Sequence, residues 1–206
     1  RGRHTRFTSD WSSDVCSSDL LKELNLRDTT ITDAGLVHLK GLTKLTSLGL
    51  KGTQVTDAGI AQLAGMNLNS LGIPKSAQTD LGLKHHLAAT EPRSVLYLRD
   101  WGGVTDAGLV HLKRMTNLRE LDLHLTKVTG AGLVHLKGMT KLRELDLRFT
   151  QITDAGLVQL KGLTNLTYLD LSGTQVTDAG LVHLAGMNLQ GLSIPGQTQT
   201  DTGLKR

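Results

Sequence analysis

The chain has 206 residues, with 23 lysines and arginines against 19 aspartates and glutamates and only 3% aromatics. A net charge of +4 over this length is too mild for a chain built to coat nucleic acid. No apolar run approaches the roughly 18 residues that a membrane span needs.

In chain order, residues 1–20 share nothing with the rest of the chain. They are rich in Ser and Asp and show no apolar period that would place a helix or strand. The stretch Asp10-Trp11-Ser12-Ser13-Asp14-Val15-Cys16-Ser17-Ser18-Asp19-Leu20 resembles a translated sequencing adapter. Residues 1–20 are therefore read as a non-native leader and excluded from fold reasoning. Cys16 goes with them, which removes disulfides, cysteine metal sites and cysteine nucleophiles. The leader's acids and bases balance, so the net charge is unchanged.

From Leu21 onward one phrase recurs. It reads Thr29-Thr30-Ile31-Thr32-Asp33-Ala34-Gly35-Leu36, then Thr53-Gln54-Val55-Thr56-Asp57-Ala58-Gly59-Ile60. It returns at Thr105-Asp106, Thr129-Gly130, Thr153-Asp154 and Thr177-Asp178. An L-x-x-L-x-L stretch precedes each regular copy, as in Leu21/Leu24/Leu26 and Leu142/Leu145/Leu147. The period of about 24 residues defines a solenoid, in which no unit buries its apolar face alone. Seven repeats and part of an eighth start near Leu21, Leu45, Leu68, Arg93, Leu118, Leu142, Leu166 and Leu189. Leu21 to Pro74 realigns with Leu142 to Pro195, as though a block of five repeats were duplicated. Neither end carries a polar capping repeat. Residues 21–206 are thus read as one domain and a fragment of a longer protein.

Each regular unit predicts a short parallel strand, a turn, a helix and a return loop. Alternation sends Leu24 and Leu26 inward and Glu23, Asn25 and Arg27 outward. Thr32 or Asp33 suits the helix N-cap. Leu36 and Leu39 share one helical face, and Gly41, Gly138 and Gly162 suit the C-terminal stop. Thr29, Thr53, Thr126, Thr150 and Thr174 form a column expected to bond the adjacent turn. Two repeats depart from the pattern. Pro74 cannot donate to a ladder, so the third strand should be short. The extra residue in Arg99-Asp100-Trp101-Gly102-Gly103 should loop out, and the two departures together should break the curvature locally.

These residues are similar to leucine-rich repeats of the T-D-x-G-L type, seen in bacterial repeat proteins and in the cysteine-containing repeats of F-box substrate receptors. The resemblance covers Leu21 to Arg206 and implies an α/β leucine-rich-repeat solenoid of about seven and a half repeats. Parallel strands would line its concave face and short helices its convex face. It also implies protein recognition on the concave side. Thr replaces the cysteine of the F-box type and no F-box segment is present, which counts against a ubiquitin-ligase reading.

Chemistry is sparse. His38, His111, His135 and His183 recur at one position, but neighbouring helices lie about 8–10 Å apart, whereas zinc needs donors at about 2.0–2.1 Å. No nucleophile elbow, phosphate loop or zinc-binding helix motif occurs. The aspartates Asp33, Asp57, Asp106, Asp154 and Asp178 have a sufficient role at helix starts. Lys40, Lys113, Lys137 and Lys161 sit near helix C-termini, where the dipole favours a cation. No catalytic residue, metal site or cofactor is expected.

The outward strand positions carry the information. Projected across repeats, they place Glu120, Glu144 and Tyr168 in one column, Tyr97, Asp122, Asp146 and Asp170 in the next, and Arg99, His124 and Arg148 in a third. With Trp101 and Phe149 at the rim, these twelve residues make the expected partner-binding surface, since exposed aromatics beside charges characterise interface hot spots. Repeats one to three look blander and read as spacer. The leading expectation is a non-catalytic, monomeric protein-interaction module. It would bind a protein or peptide, with no nucleic acid and no membrane span. Its alternatives are a substrate-recognition or regulatory arm of an enzyme (a ubiquitin ligase or kinase) whose other domain lies outside the chain, or a purely structural spacer.

Overall fold

A computed structural model describes residues 20–196. The proposed leader, apart from Leu20, and the C-terminal part of the eighth repeat lie outside the described residues. Eight three-residue strands succeed one another at repeat spacing: β1 (Glu23–Asn25), β2 (Ser47–Gly49), β3 (Ser70–Gly72), β4 (Val95–Tyr97), β5 (Glu120–Asp122), β6 (Glu144–Asp146), β7 (Tyr168–Asp170) and β8 (Gly191–Ser193). All pair in parallel, as β1-β2-β3 and β4-β5-β6-β7-β8. Register aligns the central leucines, Leu96, Leu121, Leu145, Leu169 and Leu192 in the larger sheet. Leu48, Leu50, Leu145 and Leu147 are buried, as alternation requires.

The chain leaves each regular strand through a tight turn. Asp28, Gly52, Asp100, Leu125, Phe149 and Gly173 occupy the same turn position, all with positive φ. Thr29, Thr53, Thr126, Thr150 and Thr174 then donate their hydroxyls to the carbonyl three residues back, at 2.6–2.7 Å. The expected Thr column is therefore a turn-closing device.

On the convex side, α1 (Asp33–Leu36), α2 (Asp57–Ala61), α4 (Asp106–Leu109), α5 (Asp154–Leu157) and α6 (Asp178–Leu181) are one turn long. Tighter 3₁₀ turns follow α1, α4, α5 and α6, and the fifth repeat has only the 3₁₀ turn Gly132–Leu136. The preceding Thr sits at the cap in extended conformation, and Thr56, Thr105 and Thr177 each accept a bond from the N–H two residues on. Gly41, Gly138 and Gly162 are not left-handed stops. The 3₁₀ segment ends instead at Leu42, with φ −84°, and positive φ is reserved for other glycines.

The motif aspartates do more than start helices. Asp33 accepts the backbone N–H and the hydroxyl of Thr56 in the next repeat, at 2.7 and 2.6 Å. Asp80 clasps Thr105, Asp106 clasps Thr129 and Asp154 clasps Thr177 in the same two-pronged way. Asp57 holds only the Thr79 hydroxyl. The motif glycine follows from this clasp. A Cβ at Gly59, Gly108, Gly132 or Gly180 would run into the Asp Oδ1 of the preceding repeat.

The expected irregularity is a lost strand pairing. β3 is as long as the other strands, yet no backbone hydrogen bond joins it to β4. The third repeat spends its length on α3 (Asp80–Ala89), a full ten-residue helix. The isolated bridge Thr79↔Gly103 holds the two repeats together on one side of the gap, while Leu68↔Thr90 closes the third repeat on itself. The Arg93 guanidinium donates to the carbonyls of Leu68 and Asn69 beside it. Trp101 does not loop out. It stands three residues after Leu98, the position Thr holds elsewhere, and points into the core with 7% exposure.

Candidate functional site

The larger sheet places the predicted columns side by side. Glu120, Glu144 and Tyr168 are in register, as are Tyr97, Asp122, Asp146 and Asp170. Stacked aspartates one strand apart repel, and the structure shows what offsets this. Arg99 Nε lies 3.2 Å from Asp122. Arg148 lies 2.5 Å from Asp146 and 3.7 Å from Asp170, bridging two rungs. Burial pushes the Asp146 carboxyl up, but its hydrogen bonds to Arg148 and that residue's charge outweigh burial and hold it below the usual range. The same contacts, the side-chain bond to Asp146 first, raise the Arg148 guanidinium.

Each aspartate of the ladder also builds its own turn. Asp122, Asp146 and Asp170 accept the N–H two residues on, from His124, Arg148 and Ser172. Asp122 and Asp170 are only 7% exposed. Asp122 and Asp170, expected in the partner-binding surface, are thus largely covered, and a partner would meet Asp146 and the glutamates more readily. Trp101 is a second correction. It is buried against His86, ring centroids 5.4 Å apart and edge-on, so it offers no free face to a partner.

The other aromatics are exposed. Tyr97 is 65% exposed and donates its hydroxyl to Glu120 at 3.1 Å, and that bond raises the phenol's pKa. Tyr168 lies over Gly191, where a Cβ would collide with its ring. Phe149 is 56% exposed. It meets His124 edge-on at 5.5 Å and covers Gly173. Arg99, His124, Glu120 and Glu144 complete the surface around these rings.

Two features are missing from the sequence-based expectation. Leu125 stands one repeat before Phe149 in the turn column, also exposed and also at positive φ. Its signal is in the sequence, because apart from Phe149 and the Lys75 of the irregular third repeat that column holds only Asp and Gly. The second feature is a cavity of about 900 Å³ at the β3–β4 gap, lined by Arg27, Lys51, Arg93, Tyr97 and Arg99 over His86 and Trp101. The lost ladder opens it, and it draws Arg27 and Lys51 from the repeats that look bland in sequence.

Away from the strands, His38 is exposed and His111, His135 and His183 are half-buried on the 3₁₀ turns. Desolvation and, second, Lys84 lower the His111 pKa. No three metal-binding side chains converge among the described residues. No helix of the described residues is long and apolar enough to cross a membrane.

The leucine-rich-repeat family model matches residues 116–176, and a second leucine-rich-repeat model matches residues 18–39. No curated protein sequence matches the chain. Among solved structures, internalin C2 of Listeria monocytogenes is similar, with a TM-score of 0.57 and 22% identity over 86% of this chain and 82% of that one. A second internalin of that organism has a TM-score of 0.53 and 20% identity, covering 85% of this chain and 54% of its own length. At such identities the likeness speaks for the fold alone. With the repeating motif, the parallel strands and the matched repeat models, it gives this chain the fold of an α/β leucine-rich-repeat solenoid.

Proposed function

We propose that the chain is a non-catalytic protein-recognition module whose concave face and exit-turn lip, over β4 to β7, engage a partner bearing basic and apolar groups. One observation carries this reading. Leu125 and Phe149 are bulky, 46% and 56% exposed, and held at φ of 57° and 54°, where neighbouring repeats use Asp or Gly. A left-handed conformation costs a non-glycine residue on the order of 1–3 kcal/mol. Phe149 gains a ring contact with His124, but both side chains leave about half their surface open to solvent, so a contact with a partner is the reason this reading offers for the pair. Tyr97 and Tyr168 add rigid, half-polar area on the adjoining strands, and Glu120 and Glu144 supply the negative charge between them.

The test is affinity capture with the full chain against two variants, Leu125→Gly with Phe149→Gly, and Glu144→Arg with Tyr168→Ala. The glycine pair relieves backbone strain, so melting should hold or rise while the captured partner is lost. The second variant should lose the same partner with its circular dichroism unchanged. A partner retained by both variants would place recognition elsewhere and sink the proposal.

A further inference from the structure

We propose that the cleft between β3 and β4 is a second binding site, for an extended acidic peptide segment. It adjoins the surface over β4 to β7 and shares Tyr97 and Arg99 with it, but it rests on the interrupted ladder and on Arg27, Lys51 and Arg93, which that surface does not use.

The geometry is specific to this junction. Every other pair of consecutive strands among the described residues is hydrogen-bonded, and this one is not. The Thr79↔Gly103 bridge ties the repeats on one side of the opening, and the Arg93 bonds to the Leu68 and Asn69 carbonyls tie them on the other. The cleft is therefore a feature of a well-tied fold rather than a frayed end. Its volume, about 900 Å³, lies within the range of ligand pockets, about 300–1,000 Å³. Its depth is apolar, formed by Ile73, Leu96 and Trp101. His86 also lines it. That side chain is 6% exposed, and its Nδ1 is buried with no hydrogen-bond partner. A buried imidazole nitrogen without a partner is costly unless a ligand or water satisfies it.

Charge identifies the occupant. Arg27, Lys51, Arg93 and Arg99 line the cleft, with Asp100 the one acid among the lining residues. Of these four cations, only Arg99 has a carboxylate within ion-pair distance among the described residues. Arg93 spends Nη2 on two carbonyls, and its remaining donors have no protein acceptor among the described residues. An uncompensated row of cations calls for carboxylates. The two open strand edges call for a main chain, since β3 and β4 turn unpaired backbone toward the gap. A peptide can use both, pairing its backbone with a free edge while alternate side chains meet the cations. A free phosphate would leave the edges unused, and a single-stranded nucleic acid would find Tyr97 as the one exposed aromatic platform in the lining.

The probe is a fluorescein-labelled hexapeptide alternating glutamate and valine, titrated by anisotropy into the full chain at low and at physiological salt. The control peptide replaces glutamate by glutamine. Binding of the first and not the second is expected, with a loss of about tenfold or more in Arg27→Glu with Lys51→Glu. Lys113→Glu with Lys137→Glu makes the same charge change on the convex side and should leave binding intact. An equal loss in both variants would mean diffuse attraction and overturn the site. So would absence of binding to the glutamate peptide. Tighter binding of an oligothymidylate, lost in the same cleft variant, would overturn the peptide assignment in favour of nucleic acid.

Discussion

Two junctions among the described residues each lack a tie, strand ladder or Asp–Thr clasp, and they lack different ones. Between the third and fourth repeats the strand ladder is gone, but Asp80 still clasps Thr105 at 2.7 and 2.6 Å. Between the fifth and sixth repeats the ladder is intact, but Gly130 stands where Asp belongs and Thr153 has no side-chain cap bond. Strand pairing on the concave side and the Asp–Thr clasp on the convex side are thus separable. Their consequences differ in kind. Losing the ladder opens a cleft. Where the clasp is missing the backbones lie close, so that a Cβ on Gly130 or on Gly156 would strike the other's Cα.

The largest expected effect comes from removing the Asp–Thr clasp at the open junction. Asp80→Ala leaves the Thr105 N–H and hydroxyl without their acceptor, a loss of about 3 kcal/mol for charge-assisted bonds. Because no ladder spans that junction, the two sheets should uncouple and urea unfolding should split into two transitions. Asp154→Ala removes the same bonds beside the intact β6–β7 ladder. It should lower the midpoint while preserving one transition, as nearest-neighbour coupling requires. Identical single transitions in both variants would show that the ladder contributes nothing separate.

Acid probes the same junction through His86. Desolvation, and secondarily the charge of Arg93, lower its pKa from 6.5 to about 4. The unfolded chain therefore binds the proton first, so this contribution is complete above the unfolded pKa and is lost as pH falls toward the folded one. By about pH 5 the loss amounts to about 2 kcal/mol. Stability of wild type against His86→Phe, which keeps a ring against Trp101 but does not titrate, should diverge as pH falls through this window. Parallel curves would mean that the imidazole is solvated in the folded state.

What the sequence discloses depends on whether a residue's role is set within its own repeat. The central leucines and the Thr column are legible because strand alternation and a three-residue turn define them locally. Register is legible too, since equivalent residues of parallel repeats must stack, and this brings Glu120 to Glu144 and Asp122 to Asp146. Trp101 was within reach, as counting three residues from Leu98 puts it in the inward Thr column. The aspartate clasps were not, because their acceptor geometry is completed by the next repeat. The cleft was least legible of all, since it exists through bonds that fail to form between two irregular units.

The smallest effect concerns the closed junction, and there repeat consensus and geometry disagree. Asp is the consensus residue at position 130, and it would offer Thr153 the clasp that it lacks. A Cβ at Gly130, however, would meet the Gly156 backbone at Cα and N rather than a flexible side chain. Backbone cannot step aside without moving the whole sixth repeat, and overpacking of this kind costs about 1–3 kcal/mol. Gly130→Ala, which adds the methyl and no acceptor, should therefore destabilise even though Gly-to-Ala changes at unstrained sites stabilise. Gly130→Asp should fall between Gly130→Ala and wild type, because two new hydrogen bonds offset part of the displacement. Both are read from urea midpoints. A Gly130→Asp midpoint above wild type would mean that this junction opens as readily as its neighbours, and that its close backbone contact results from the missing carboxylate rather than acting as a constraint of its own.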